Sequence, residues 1–127
     1  NDVSIAENIA IGVDPKEIDL EKVKNAAKQA QIHDFIESTP NQYNEKVGER
    51  GIKLSGGQRQ RIGIARALYR EAKVILFDEA TNQLDTNTES LIVQSINNLD
   101  KEITIILIAH RLSTLKDCDQ IIDLSKI

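Results

Sequence analysis

The sequence contains a single cysteine, no methionine and no long apolar run. Because Cys118 has no second cysteine to pair with, an internal disulfide is excluded and a reducing compartment is the default expectation. No apolar stretch approaches the roughly 20 residues that span a bilayer, which argues against a membrane-crossing segment. Since even an initiator methionine is missing, we expect a processed chain or a portion of a longer protein.

A common phosphate-binding pattern is also absent. The sequence has no G-x-x-x-x-G-K-[ST] motif, whose backbone and lysine hold the phosphates of a nucleotide. The nearest stretch, residues 48–55, places Lys53 without a glycine directly before it and without an apolar strand ahead of it. We therefore expect that this chain by itself lacks the usual grip on the β- and γ-phosphates.

The overall composition is that of one ordinary globular domain. At 127 residues, with 40% hydrophobic and 28% charged residues, the chain is long enough to bury a real core. Its net charge of −4 argues against a general nucleic-acid binder and leaves open only a local basic patch.

One stretch, Leu54-Ser55-Gly56-Gly57-Gln58, has the pattern of a helix start that suits an anion. Ser55 and Gln58 have the S-x-x-Q spacing in which each side chain bonds the other residue's backbone N–H. The two glycines between them leave the backbone open to close approach by a ligand. Because a helix N-terminus carries unpaired N–H donors and about half a positive charge, these residues are candidates for binding phosphate.

Polar residues also follow two apolar runs that we predict to be strands. Asp78 and Glu79 come directly after the first run, and His110 comes after the second. Ligands of open parallel α/β sheets bind beyond the carboxyl ends of the strands, so we expect these side chains at one edge. Hydrolysis of a phosphoanhydride needs a carboxylate for Mg²⁺, a group that activates water and donors for the phosphoryl oxygens. Each residue alone has an ordinary structural explanation, whereas their combination with the helix start favours nucleotide chemistry.

The remaining pattern predicts a helical first half and an alternating second half. We expect helices capped by Ser4 and Asp19, a helix beginning at His33, a loop over residues 41–53 and a helix to about Tyr69. Strands are predicted at residues 73–77, 103–109 and 120–124, with helices at 86–99 and 112–117 between them. Since these strands are continuous apolar runs, they are typical of a parallel sheet covered on both faces.

These motifs resemble those of the ATP-binding-cassette ATPases. The sequence LSGGQRQR at residues 54–61 is similar to the family's signature motif, and VILFDEAT at 74–81 is similar to its Walker B strand. Leu84-Asp85 resembles the end of the D-loop, and His110-Arg111 resembles the switch histidine and its neighbour. The resemblance implies ATP with Mg²⁺ as cofactors, Asp78 as the magnesium-associated acid and Glu79 and His110 as catalytic residues. It also implies that Asp85 belongs to the nucleotide site.

The resemblance narrows to the cassettes of membrane exporters. Residues 46–51, KVGERG, are similar to the loop that faces the membrane domains in exporters. The implied fold is α/β, with a partial P-loop NTPase (RecA-like) parallel sheet core at residues 71–127 preceded by an α-helical signature subdomain at 1–70. The family's phosphate loop and Q-loop glutamine are missing, so the resemblance implies the C-terminal part of one cassette.

The resemblance also implies partners and a location. Two cassettes would dimerise head to tail, so that Ser55 and Gly57 close over ATP held by the other subunit. The transmembrane domains of a transporter would be further partners, at the cytoplasmic face of the membrane, and nucleic acid would not be a partner.

The sequence is compatible with three functions. The chain is a portion of an exporter ATPase, as Glu79 and His110 favour, or a non-catalytic dimerisation module, as the missing phosphate loop favours. A third hypothesis is a soluble cassette ATPase of DNA repair or translation. Its nucleic-acid contacts would come from four arginines of the signature helix. They are Arg59, Arg61, Arg66 and Arg70.

Overall fold

A computed structural model describes residues 2–78, 86–99, 101–108 and 118–124. Its helices are α1 (Ile5–Ile9), α2 (Leu20–Gln29), α3 (His33–Ser38), α4 (Gly56–Tyr69) and α5 (Thr86–Asn97). Its strands are β1 (Val3–Ser4), β2 (Lys46–Val47), β3 (Val74–Asp78) and β4 (Thr104–Ile108). Single 3₁₀ turns lie at Pro15–Glu17 and Gln42–Asn44.

The predicted helix caps are confirmed. Ser4 Oγ accepts a hydrogen bond from the Glu7 backbone N–H at 3.1 Å, and Asp19 Oδ1 accepts one from the Lys22 N–H at 3.2 Å. Each bond satisfies a first-turn donor that has no acceptor within its own helix. Local sequence therefore decides where α1 and α2 begin.

The helical part packs around one core of isoleucine and alanine side chains. Helices α1 and α2 both pack against α4, and Ile5, Ile9, Val23 and Ile62 are almost completely buried. Leu20 lies three residues before Val23 and so near the same side of α2, but it is 43% exposed. A helical side chain covers the turn before its own Cα, and Leu20 is the first residue of its helix. Its side chain therefore extends beyond the packed part of α2.

The parallel sheet is confirmed, but the expectation that both its faces are covered is wrong for the described residues. Strands β3 and β4 pair in parallel, with Val74 opposite Thr104 and Asp78 opposite Ile108. Ile75 and Phe77 are buried, whereas Leu76 is 63% exposed and Ile106, its partner across the ladder, is 49% exposed. A run of apolar residues shows that a strand can be buried, but not which layers are there to bury it.

Two further predictions differ from the structure. The segment predicted as a loop contains β2, which pairs antiparallel with β1. No strand forms at residues 118–124, where Ile121, Ile122 and Leu124 are exposed. A strand requires a hydrogen-bonded neighbour, and no described strand pairs with this segment. The helix predicted at 112–117 lies outside the described residues.

No helix in the described ranges has the length and apolar composition needed to cross a bilayer.

Candidate functional site

The predicted capping box at the start of α4 is present in both directions. Ser55 Oγ accepts from the Gln58 backbone N–H at 3.2 Å, and Gln58 Oε1 accepts from the Ser55 N–H at 2.9 Å. Leu54 is buried and joins the hydrophobic core, whereas Ser55 itself is exposed. Packing of Leu54 in the core and the two reciprocal bonds therefore fix the start of the helix.

The first turn of α4 contains backbone donors that have no acceptor within the helix; of the two glycines there, Gly56 is partly exposed and Gly57 is buried. The first N–H groups of an α-helix have no acceptor within it, and here only Gln58 receives one from the Ser55 side chain. The Arg59 N–H makes the first regular contact, to the Ser55 carbonyl at 3.0 Å. The N–H groups of Gly56 and Gly57 precede these two and lie at the positive end of the helix dipole. Chemically, the arrangement suits an anion with several oxygen acceptors.

The buried side chain of Arg61 also bonds to the first turn of α4. Arg61 is only 7% exposed, and its Nη1 donates to the Gln31 carbonyl at 2.6 Å. Its Nε donates to the Gly57 carbonyl at 3.4 Å. Burial lowers the pKa of the Arg61 guanidinium from its usual value. Gln31 follows Ala30, the C-cap of α2, so Arg61 joins the segment just after α2 to the first turn of α4.

Arg66 of α4 and Arg70, the C-cap of this helix, fix α4 to α1 and to the segment after α1. Arg66 Nε donates to the Asn8 carbonyl at 3.0 Å, and its Nη2 donates to Asn8 Oδ1. Arg70 Nη2 donates to the Ile11 carbonyl at 2.7 Å. Burial, and then the nearby charge of Arg70, lower the pKa of Arg66. These side chains are used within the chain, which counts against the hypothesis that they contact nucleic acid.

Asp78 lies at the carboxyl end of β3, as predicted, and is half-buried. Gln60 of α4 reaches it: Gln60 Nε2 lies 3.5 Å from the Asp78 carbonyl oxygen. Gln60 Oε1 is buried and has no hydrogen-bond partner among the described residues. Both residues line an open cavity of about 400 Å³ between α4 and β3. Gln60 thus connects the glycine-initiated helix with the carboxylate-bearing strand, a link that no sequence pattern indicated.

The structure tests only part of the predicted site. Residues 54–58 and Asp78 are described, and the contact of Gln60 with the Asp78 carbonyl relates the elements that carry them. Glu79, Asp85 and His110 lie outside the described residues, so their grouping with Asp78 stays a prediction. Within the described ranges, no three His, Cys, Asp or Glu side chains cluster as metal ligands would.

Comparison with known proteins adds independent evidence. Residues 1–82 match the family model described as ABC transporter. The chain is 48% identical over 119 residues to ATP-binding cassette sub-family B member 5 of Mus musculus, covering 94% of this chain and 10% of that protein. It is 49% identical over 118 residues to an ATP-dependent lipid A-core flippase of Pseudoalteromonas translucida (strain TAC 125), covering 93% of this chain and 20% of the flippase.

A solved structure is similar as well. A bacterial Atm1-family ABC exporter with ATP bound superposes with a TM-score of 0.73 at 47% identity. The superposition covers 91% of this chain and 20% of the exporter chain. The chain thus spans between about a tenth and a fifth of the length of these relatives.

Proposed function

Because the chain belongs to the ABC transporter family, we propose that it forms part of the ATP-binding and hydrolysing unit of a membrane exporter. Its fold is a partial α/β P-loop NTPase fold, with helices ahead of a small parallel sheet. In this proposal residues 1–70 are the helical signature subdomain and residues 71–127 are part of the catalytic core. Such a unit would couple ATP hydrolysis to transport.

The observation that carries the proposal is the capped start of α4. This stretch has the sequence LSGGQ, and Ser55 and Gln58 form the two reciprocal bonds of a capping box. The N–H groups of Gly56 and Gly57 lie between these two residues, in the first turn of the helix. Leu54, Ser55, Gly56, Gly57 and Gln58 are proposed to contact the phosphates of ATP held mainly by a second cassette. Exposure of Ser55 supports this role, because the hydroxyl is accessible to a ligand that comes from outside the chain.

Asp78 is proposed to hold Mg²⁺. A half-buried carboxylate at the end of a parallel strand fits this ion, which is commonly bound by one or two carboxylates and keeps several waters. When bound, Mg²⁺ neutralises charge on the phosphate oxygens. Glu79 is proposed to accept a proton from the attacking water, and His110 to donate a hydrogen bond to the transferring phosphoryl group. Asp85 is proposed to contribute to the same nucleotide site.

The proposed partners are a second cassette and the transmembrane domains of the exporter. The second cassette would complete the nucleotide site at α4, and the membrane domains would face residues 46–51. This arrangement would put the chain at the cytoplasmic face of the membrane.

The proposal is tested by Glu79→Gln in the complete protein. The substitution removes the proton acceptor without changing side-chain size, so ATP should still bind while hydrolysis falls by about 10²–10⁴-fold. Steady-state phosphate release and equilibrium nucleotide binding measure the two effects. Glu21→Gln, at an exposed position in the first turn of α2, is the matched control and should leave turnover unchanged. Equal turnover of Glu79→Gln and the wild type would remove Glu79 from its role.

A further inference from the structure

The chain before α1 is joined to the loop that precedes the signature helix. In the β1–β2 ladder, Val3 lies opposite Val47 and Ser4 opposite Lys46. The Ile5 N–H extends this contact by donating to the Glu45 carbonyl at 2.9 Å. Two segments more than 40 residues apart in the sequence therefore form one small antiparallel unit.

Residues 48–51 form a tight loop that follows β2, and the next residue, Ile52, bonds back to β2. The Gly51 N–H donates to the Gly48 carbonyl at 3.2 Å, and the Ile52 N–H donates to the Lys46 carbonyl at 2.9 Å. A Cβ added to Gly51 would lie 2.1 Å from the Lys46 carbonyl oxygen, so only glycine fits at position 51 of this loop. Side chains at the tip, Glu49 and Arg50, are exposed.

Asp2 connects the tip of this loop to the ladder. Asp2 Oδ2 accepts a hydrogen bond from the Arg50 backbone N–H at 2.7 Å. The other carboxylate oxygen fills the space beside Gly48, where a Cβ would lie 2.2 Å from Asp2 Oδ1. A bond from a backbone N–H to a carboxylate is among the stronger hydrogen bonds in proteins. The Asp2 side chain thus lies beside Gly48 and bonds to Arg50, on the two sides of Glu49.

The contact leaves the charged groups of the tip free to meet another molecule. Asp2 uses only the backbone N–H of Arg50, while the side chains of Glu49 and Arg50 stay exposed. An exposed loop with few buried contacts opens at little free-energy cost unless another element holds it. The hydrogen bond from the Arg50 N–H to Asp2 restrains the loop in this way, because Asp2 lies outside the loop, in the segment that leads into α1.

We propose that Asp2 is a positioning residue that fixes the loop at residues 48–51 for contact with the transmembrane domains. This inference rests on the proposed function, because it takes those domains as the partner of the loop. Asp2 makes the loop move together with the segment before α1, so a displacement of that segment shifts the surface offered to the membrane domains. Loss of the carboxylate would free the loop tip without altering the residues assigned to ATP.

The test compares Asp2→Ala with Asp2→Asn in the complete transporter. The alanine removes both contacts, whereas the asparagine keeps an acceptor oxygen. Hydrogen–deuterium exchange of the peptide that contains Arg50 reports the contact itself. A photoreactive benzoylphenylalanine at position 49 reports docking, as the yield of the cross-linked membrane-domain peptide. Asp14→Ala is the matched control, because Asp14 Oδ1 accepts a similar backbone bond from Lys16 at 2.9 Å, outside the loop.

For Asp2→Ala we expect exchange at Arg50 to rise about tenfold or more, the energy scale of one bond to a charged group. The cross-link yield should fall several-fold while ATPase activity stays within about twofold of the wild type. Asp2→Asn should restore most of both signals, and Asp14→Ala should change neither.

Three results would overturn the inference. Unchanged exchange in Asp2→Ala would show that the carboxylate does not hold the tip. Faster exchange with an unchanged cross-link would show that docking does not need this contact. A wild-type protein that hydrolyses ATP but gives no cross-link from position 49 to a membrane domain would remove the loop's proposed partner. In contrast, an inactive wild-type protein that still cross-links would contradict the proposed ATPase function and leave the role of Asp2 standing.

Discussion

At the scale of single residues, Arg61 is a charged side chain that is almost completely buried. Its buried guanidinium bonds the carbonyls of Gln31 and Gly57, which lie on different elements. Arg61→Met would remove the donor from the partly buried Gln31 carbonyl and from the buried Gly57 carbonyl, and an unsatisfied buried polar group costs about 1–3 kcal/mol. We expect a loss of that size in the free energy of unfolding, measured as the urea midpoint by pulse proteolysis of the complete protein.

Two companion variants sharpen this expectation. Arg61→Lys keeps a cation that can reach one carbonyl and should lose less stability than Arg61→Met. Arg59→Met changes an exposed arginine that makes one bond, to the Leu54 carbonyl at 2.9 Å. A loss in Arg61→Met no larger than that in Arg59→Met would contradict the importance of the buried bridge.

Tyr43 provides a pH-dependent prediction at the same scale. Burial, and then the nearby charge of Glu37, raise the pKa of Tyr43 to about 12, above its usual value of 10.0. The phenol also lies 2.6 Å from His33 Nδ1. Between pH 10 and 12 the unfolded chain loses this proton while the folded chain keeps it, so the fold binds more protons. Stability from Tyr43 should be present below about pH 10 and be lost as the pH rises toward 12.

The measurement is a phenolate absorbance titration of the wild type minus that of Tyr43→Phe, which isolates one of the two tyrosines. The difference should have its midpoint near pH 12. Tyr43→Phe should also have a flatter stability profile between pH 10 and 12. A difference titration centred at the ordinary tyrosine pKa would contradict the burial argument.

At the scale of elements, two helix caps offer a comparison between structure and function. Ser55 caps α4 and Asp19 caps α2, each through a bond to a first-turn N–H at 3.2 Å. Replacing either by alanine should lower stability by about 1 kcal/mol. Only Ser55→Ala should also lower ATP turnover, with ATP binding retained, because its hydroxyl is proposed to meet the nucleotide of a second cassette. Turnover, binding and urea midpoints of both variants separate the two effects, and equal turnover would contradict the role of Ser55.

At the scale of the whole molecule, the sheet presents an apolar face without a covering layer among the described residues. Val74 and Leu76 of β3 lie beside Ile106 and Ile108 of β4 on this face, and all four are exposed. Exposed apolar patches of this kind promote association. We expect the isolated chain to associate with itself, visible as a sedimentation coefficient that rises with concentration.

A double substitution on the open face tests this expectation. Leu76→Lys with Ile106→Lys should abolish the concentration dependence, because it places two charges in the middle of the face. Ile11→Lys is the control, since Ile11 is an exposed apolar residue in the segment that follows α1. A sharp two-state melt of a monomer, independent of concentration, would contradict the prediction for the wild-type chain.

The sequence by itself determined the features that depend on neighbouring residues. The caps at Ser4, Asp19 and Ser55 were predictable because a capping bond joins residues only three positions apart. The parallel sheet and the family followed in the same way from continuous apolar runs and ordered motifs. Glu79, Asp85 and His110 stay predictions, because they lie outside the described residues.

The tertiary structure alone decided contacts between residues distant in the chain. Arg61 bonds a carbonyl 30 residues away and Asp2 bonds an N–H 48 residues away, and nothing in the local pattern indicates either partner. The open face of the sheet and the absence of the strand predicted at 120–124 have the same origin. An apolar run shows that a segment prefers burial, but burial and strand pairing require a neighbour that only the folded chain can supply.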